Sequence, residues 1–238
     1  MVGLKFCKFR KSLILIIISF FIVSCSDEVA QTEESLERKN YSWRLVTTWP
    51  KNYPGVGLGP ENFAQLVEEM TDGRLKIKVY GNGELIPALE VFDAVSRGTV
   101  EMGHGAAYYW IGKLPAAQFF TTLPFGLNAQ ERNAWLYFGG GIELWEKAYE
   151  PFNLIPMAGG NTGVQMGGWF NKEINSLEDL KGIRIRMPGL AGEVFSRAGG
   201  EAVLMPGSEI FTNLQTGVID AAESVSYTHL TLPTRIFV

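Results

Sequence analysis

The sequence predicts an α/β protein of two lobes. From about residue 43 strand and helix signals alternate, with glycine or proline turns between them, the pattern of largely parallel strands covered by helices. Two stretches of the first half also have weak echoes in the second. LKIKVYG (75–81) resembles IRIRMPG (183–189), and RGTVEMG (97–103) resembles TGVIDAA (216–222). Two similar halves, with the chain passing between them near Asn161, imply two facing lobes. Ligands of open α/β sheets sit beyond the carboxyl ends of the strands, so such lobes make a cleft that can close by a hinge.

The chain begins with Lys5, Lys8, Arg10 and Lys11, followed by an apolar run over 13–23 broken only by Ser19. A basic segment before an apolar one shorter than the ~20 residues of a membrane-spanning helix is an export signal. Ile22-Val23-Ser24-Cys25 closes it and resembles the lipobox of bacterial lipoproteins, in which the cysteine becomes the lipidated first residue. An ordinary signal peptide or an uncleaved anchor are the alternatives; each exports the chain. Residues 1–25 are thus read as a lipoprotein signal and Cys25 as the lipidation site. Cys7 is the other cysteine, and it lies in the removed segment, so no disulfide is expected. Residues 26–40 are polar and lack aromatics, a flexible tether. A net charge of −4 without a basic block beyond the signal speaks against nucleic acid as a partner.

The first lobe is expected over 41–160. Residues 43–48 form a strand ended by Trp49-Pro50. Pro60 suits the first turn of a helix running to Met70, with Phe63, Leu66, Val67 and Met70 on one face. Leu75, Ile77 and Val79 alternate in the next strand, and a second helix opens at Pro87, buries Leu89, Phe92 and Val95, and stops at Gly98. A strand over 100–103 follows. The aromatics of 106–128 read either as a loop lining the cleft or as core between elements. Residues 131–149 make one amphipathic helix, except that Gly139-Gly140-Gly141 would each cost roughly 1 kcal/mol inside it, which predicts a break or a close helix contact.

The second lobe is expected over 161–223. NTGVQMGGWF has the residue types of a half-buried pleated segment. Ser176 with Asp179 makes a capping box in which Asp replaces the usual Glu or Gln. The strand 183–187 then alternates Ile183, Ile185 and Met187 with Arg184 and Arg186, before Pro188-Gly189 stops it. An arginine at a strand end beside a glycine turn is placed to hold an anion. Strand arginines usually face water, and alternation puts Arg184 and Arg186 on one face, so the pattern does not choose between them.

The stretches GRLKIKVYGNGELIP, LEVFDAVSRGTVEMGH, YYWIGKLPAAQFF, PFNLIPMAGGNTGVQMGGWFNKEI, DLKGIRIRMPGLAGEV and LQTGVIDAAE resemble the substrate-binding proteins of tripartite ATP-independent periplasmic (TRAP) transporters, the dicarboxylate-binding-protein-like group, and within it the subset that binds 2-oxo acids such as pyruvate. The resemblance covers about 43–223. It implies a two-lobed periplasmic binding protein fold of class II-like type, and a receptor that captures a small organic acid and delivers it to TRAP membrane subunits. Such a receptor works in the periplasm or at the cell surface, here anchored through the lipid. By the resemblance, Arg186 pairs with the ligand carboxylate, Gln165 contacts the ligand and a bound cation, and Glu223 is a further cation ligand. The planar fork of arginine gives two parallel bonds to a carboxylate where lysine cannot. A carboxylate such as Glu223 next to a ligand carboxylate repels it unless a cation bridges both, and an all-oxygen donor set suits sodium or calcium. Lactate, a dicarboxylate or a polyol is the alternative cargo.

The sequence departs from that family after Glu223, where a tryptophan is expected and Ser224 stands. The segment 224–238 reads as a non-native tail on a truncated frame, which leaves the second lobe incomplete. No enzyme is expected. Ahead of the tail the one histidine is His104, at the close of the strand GTVEMG, where it either lines the cleft or packs in the core. No nucleophile–base pair or histidine-rich metal cluster can be assembled around it, and a carboxylate-only hydrolase is the remote alternative.

Overall fold

Strand β1 (Tyr41–Thr47) is the centre of a three-stranded parallel sheet, between β2 (Leu75–Tyr80) and β3 (Met102–His104). A strand paired on both edges and covered on both faces reads as a continuous apolar run, and Leu45 and Val46 are accordingly both buried. The computed structural model describes residues 39–163 and 165–224, so the proposed signal 1–25, the tether before Lys39 and the tail beyond Ser224 lie outside the described residues. The strand expected over 100–103 lies at 102–104.

Helix α1 (Leu58–Met70) joins β1 to β2, and it turns a different face inward from the one the sequence suggests. Pro60 and Ala64 are buried, and Ala64 packs with Leu45 and Val79, whereas Phe63, Leu66 and Met70 are 42%, 56% and 83% exposed. The two apolar rows are neighbours on the helix, and the sheet takes the one with the small residue, which lets the backbones approach. After β2 a 3₁₀ turn (Ala88–Glu90) leads into α2 (Val91–Ser96), which buries Val91, Phe92 and Ala94. Phe92 is the hub of the first lobe's main core, with ring centroids 5.6 Å from Trp110, 5.6 Å from Tyr149 and 5.1 Å from Phe152.

The expected break in the long amphipathic helix is present. Helix α3 (Ala129–Phe138) starts from a capping box between Asn128 and Glu131, and α4 (Gly141–Tyr149) restarts after it. Gly140 between them has φ 81°, a left-handed turn that a side chain would strain.

The second lobe carries β4 (Trp169–Phe170), β5 (Arg184–Arg186), β6 (Glu201–Val203) and β7 (Ala221–Ala222), in the order β4-β7-β5-β6. Only β4 is antiparallel, to β7. Among the described residues of NTGVQMGGWF, only the last two pair. Gly168, at φ 152°, lies so close to the sheet that a Cβ there would sit 3.1 Å from Ile185 Cδ1, a close approach that favours glycine at that position. The Ser176 cap forms as expected: Asp179 Oδ2 accepts from the Asn175 and Ser176 amides at 3.0 and 2.8 Å and from Ser176 Oγ at 2.9 Å. Helix α5 (Gly189–Arg197) connects β5 to β6, and α6 (Ile210–Gln215) connects β6 to β7.

Both lobes therefore contain the same unit: strand, helix, strand, helix, strand, with the first strand in the middle. That topology corrects one of the two sequence echoes. LKIKVY is the second strand of its unit and IRIR the first of its own, so β5 corresponds to β1 rather than to β2. The echo of 97–103 with 216–222 is kept, and an ion pair repeats with it. The Arg44 amide and Nε donate to Glu101 Oε2 at 2.8 and 3.0 Å, and the Arg184 amide and Nε donate to Asp220 Oδ2 at 2.9 and 3.2 Å. Hydrogen bonds from Arg44 hold Glu101 down to about 2, and those from the Arg184 amide and side chain lower Asp220. Each pair ties the first strand of a unit to the third.

Candidate functional site

Arg184 and Arg186 leave one face of β5 and meet different surroundings. Arg184 stays partly exposed beside Asp220. Arg186, at the carboxyl end, is 1% exposed and is the largest fully buried side chain among the described residues. Its Nε donates to Met205 O at 3.2 Å, Nη1 to Glu223 O at 2.8 Å, and Nη2 to Tyr109 Oη at 3.0 Å. A guanidinium has five N–H groups, so one remains on each terminal nitrogen after these bonds. Burial opposes the charge, while Tyr109, Tyr108 and Glu223 favour it, and the guanidinium is held above its ordinary value.

Glu223 follows β7, which pairs with β5, and its backbone amide donates to Arg186 O at 2.8 Å. That register sets the carboxylate beside the guanidinium, with Oε2 3.6 Å from Nη1. The residue is 7% exposed, and Oε1 is buried with no hydrogen-bond partner. Burial raises its pKa, and Arg186 offsets only part of that. A buried carboxylate oxygen without a donor is costly, and a cation or a ligand group satisfies it. Glu223 Oε1 thus fits as one oxygen donor to a hard cation. Gln165, the other expected donor, is half-buried on the segment that joins the lobes, where Nε2 donates to Thr162 Oγ1 at 3.3 Å and its amide oxygen has no hydrogen-bond partner among the described residues. Among the described residues no hydrogen bond or ion pair joins Gln165 to Arg186 or Glu223. The structure brings two of the three expected site residues together and leaves the third on the connecting segment.

Sequence reasoning did not single out Tyr109. It lies in a 3₁₀ turn (Ala107–Trp110) within the aromatic stretch whose two readings were cleft and core, and it serves both. Its ring is 8% exposed in the first lobe's core, while its hydroxyl crosses to Arg186 in the second. The doubled tyrosine of YYW was the available signal, since a buried tyrosine needs a polar partner for its hydroxyl.

The two lobes thus repeat one α/β unit, and the Tyr109 hydroxyl of the first meets the buried Arg186 of the second beside Glu223. The chain belongs to the bacterial extracellular solute-binding protein family 7 (DctP), whose pattern matches residues 45–232. It is 50% identical over 204 residues to the monocarboxylate 2-oxoacid-binding periplasmic protein all3028 of Nostoc sp., covering 86% of this chain and 56% of that protein. A TRAP periplasmic solute-binding protein of Pseudoalteromonas atlantica, solved with sodium and pyruvate, superposes with a TM-score of 0.76 at 48% identity, covering 78% of this chain and 56% of that one. A second, from Colwellia psychrerythraea with calcium and pyruvate, gives 0.75 at 48% identity, with 78% and 57% covered. The chain spans little more than half the length of these relatives.

Proposed function

We propose that this protein is the extracytoplasmic receptor of a TRAP transporter and captures a 2-oxo acid such as pyruvate together with a sodium or calcium ion. The observation that carries this is the buried Arg186 with an N–H on each terminal nitrogen outside its three hydrogen bonds, next to a buried Glu223 oxygen that lacks a hydrogen-bond partner. A charged fork at a strand's carboxyl end binds a carboxylate. The orphan carboxylate alongside it calls for a cation, which supplies positive charge between Glu223 and the ligand. Gln165 provides the second protein oxygen. The relatives solved with pyruvate, one with sodium and one with calcium, support the same assignment. Titration calorimetry on the full-length protein is expected to show saturable pyruvate binding that strengthens with sodium or calcium, and nuclear magnetic resonance of the mixture is expected to show no product. No binding, or turnover of the acid, would overturn the receptor assignment.

The receptor hands its cargo to the TRAP membrane subunits from a lipid anchor at Cys25, on the strength of the basic segment, the apolar run and Ile22-Val23-Ser24-Cys25. Mass spectrometry of the N-terminal peptide from membranes is expected to find an acylated Cys25 as the first residue. An unmodified Cys25 in exported protein would refute it.

A further inference from the structure

The repeat between the lobes extends beyond the echo described above. PALEVFDAVSRGTVEMGH (87–104) runs position by position with PGSEIFTNLQTGVIDAAE (206–223). Each begins with proline, passes through a 3₁₀ turn (Ala88–Glu90; Gly207–Glu209) into α2 or α6, and leaves by a glycine at φ 70° or 72°. Each then presents the acid that pairs with its first-strand arginine, Glu101 or Asp220. In this frame His104 occupies in the first lobe the place that Glu223 holds in the second, at the end of the third strand.

The surroundings of His104 prepare it as a donor. Thr47 Oγ1 accepts from the Trp49 amide at 3.2 Å, so its own proton is free to point at His104 Nδ1, 3.4 Å away. With Thr47 as that donor, Nδ1 accepts and the ring proton sits on Nε2. Desolvation pushes the imidazole down to about 4, which keeps it neutral at physiological pH. Nε2 has no hydrogen-bond partner among the described residues, and its edge is turned toward Gly159 on the segment that joins the lobes, where a Cβ would lie 3.5 Å from it. The imidazole ring packs 5.0 Å from Trp49, whose ring is 6.3 Å from that of Tyr109, the residue whose hydroxyl meets Arg186.

We propose that His104 is a solute contact of the first lobe: its Nε2–H donates to the ligand oxygen beyond the carboxylate held by Arg186, and so favours an oxo group over a hydroxyl. This rests on the 2-oxo-acid reading above. A carbonyl oxygen only accepts, which matches a fixed donor. A hydroxyl also brings a proton that needs an acceptor, and an imidazole whose Nδ1 is engaged by Thr47 offers none at that point.

The test compares pyruvate and lactate by titration calorimetry on the full-length wild type, His104→Phe and His104→Gln. Phenylalanine keeps the packing on Trp49 and removes the donor; glutamine restores an N–H near the Nε2 position. His104→Phe is expected to weaken pyruvate binding about tenfold and lactate binding less than about twofold, and His104→Gln to recover most of the loss. Equal weakening of both ligands with a lowered melting temperature would mean a packing role and overturn the proposal. So would an unchanged pyruvate affinity in His104→Phe, or a wild type that does not prefer the oxo acid to the hydroxy acid. A wild type that binds neither acid would instead overturn the receptor assignment itself, and that outcome is seen before any substitution is made.

Discussion

Replacing Arg186 by lysine in the full-length protein is expected to raise the dissociation constant for pyruvate roughly 10- to 150-fold, the equivalent of about 1.5–3 kcal/mol for a charge-assisted bond. The charge is kept, so the loss measures geometry. In the wild type the guanidinium is fixed at three corners by Met205 O, Glu223 O and Tyr109 Oη. Its remaining N–H groups are therefore held in place before a ligand arrives. A lysine ammonium is a point donor on a flexible stem, and it cannot satisfy those three acceptors and also present a fork. The melting temperature should also fall, because Met205 O, Glu223 O and Tyr109 Oη lose a common donor in a buried site. Calorimetry with pyruvate and thermal unfolding of the same preparations check both effects. A pyruvate affinity within twofold of wild type would remove Arg186 from the site.

Changing Glu223 to glutamine separates two electrostatic accounts of the same pair. If a cation bridges Glu223 and the ligand, the substitution removes a charged oxygen from its shell. Pyruvate binding should then weaken, and its dependence on sodium or calcium concentration should flatten. If no cation takes part, Glu223 only repels the incoming carboxylate, and glutamine should leave binding equal or tighter. The wild type supplies a second readout through pH. Burial raises the Glu223 pKa and Arg186 only partly opposes it. The cation needs the ionised form, so cation-dependent binding should decline as pH falls through that raised value, and this acid limb should be missing from Glu223→Gln. Titration calorimetry of both proteins across cation concentration and pH decides between the accounts. An unchanged cation dependence in Glu223→Gln would end the bridging hypothesis.

Much of the scaffold around these residues is local chemistry and was legible one segment at a time. The alternation in LKIKVY, the Ser176–Asp179 cap and the glycine break after Phe138 each depend on residues a few positions apart, so the sequence contains all the interacting parties. The same holds for the motif stretches that mark the family. The faces that ended up buried were not local. Helix α1 offers two adjacent apolar rows, and only the sheet beneath it selects the Pro60–Ala64 row over Phe63, Leu66 and Met70. The stretch NTGVQMGGWF has strand-like side chains, yet among its described residues only Trp169 and Phe170 pair in the sheet.

By itself, then, the sequence determined the α/β alternation, the two-unit repeat and the residue types of the proposed anion site, because periodicity, caps and turns are contacts between near neighbours. It could not separate Arg184 from Arg186, two residues apart on one strand face with the same charge and the same neighbours in the chain. Tertiary structure decided that. Asp220 meets Arg184 at the open end of β5, while Met205, Glu223 and Tyr109 close over Arg186 at the other. The physical reason is that burial belongs to the surroundings and not to the residue: a guanidinium loses its water only where distant parts of the chain replace it with oxygens, and those oxygens come from three separate segments, one of them in the other lobe.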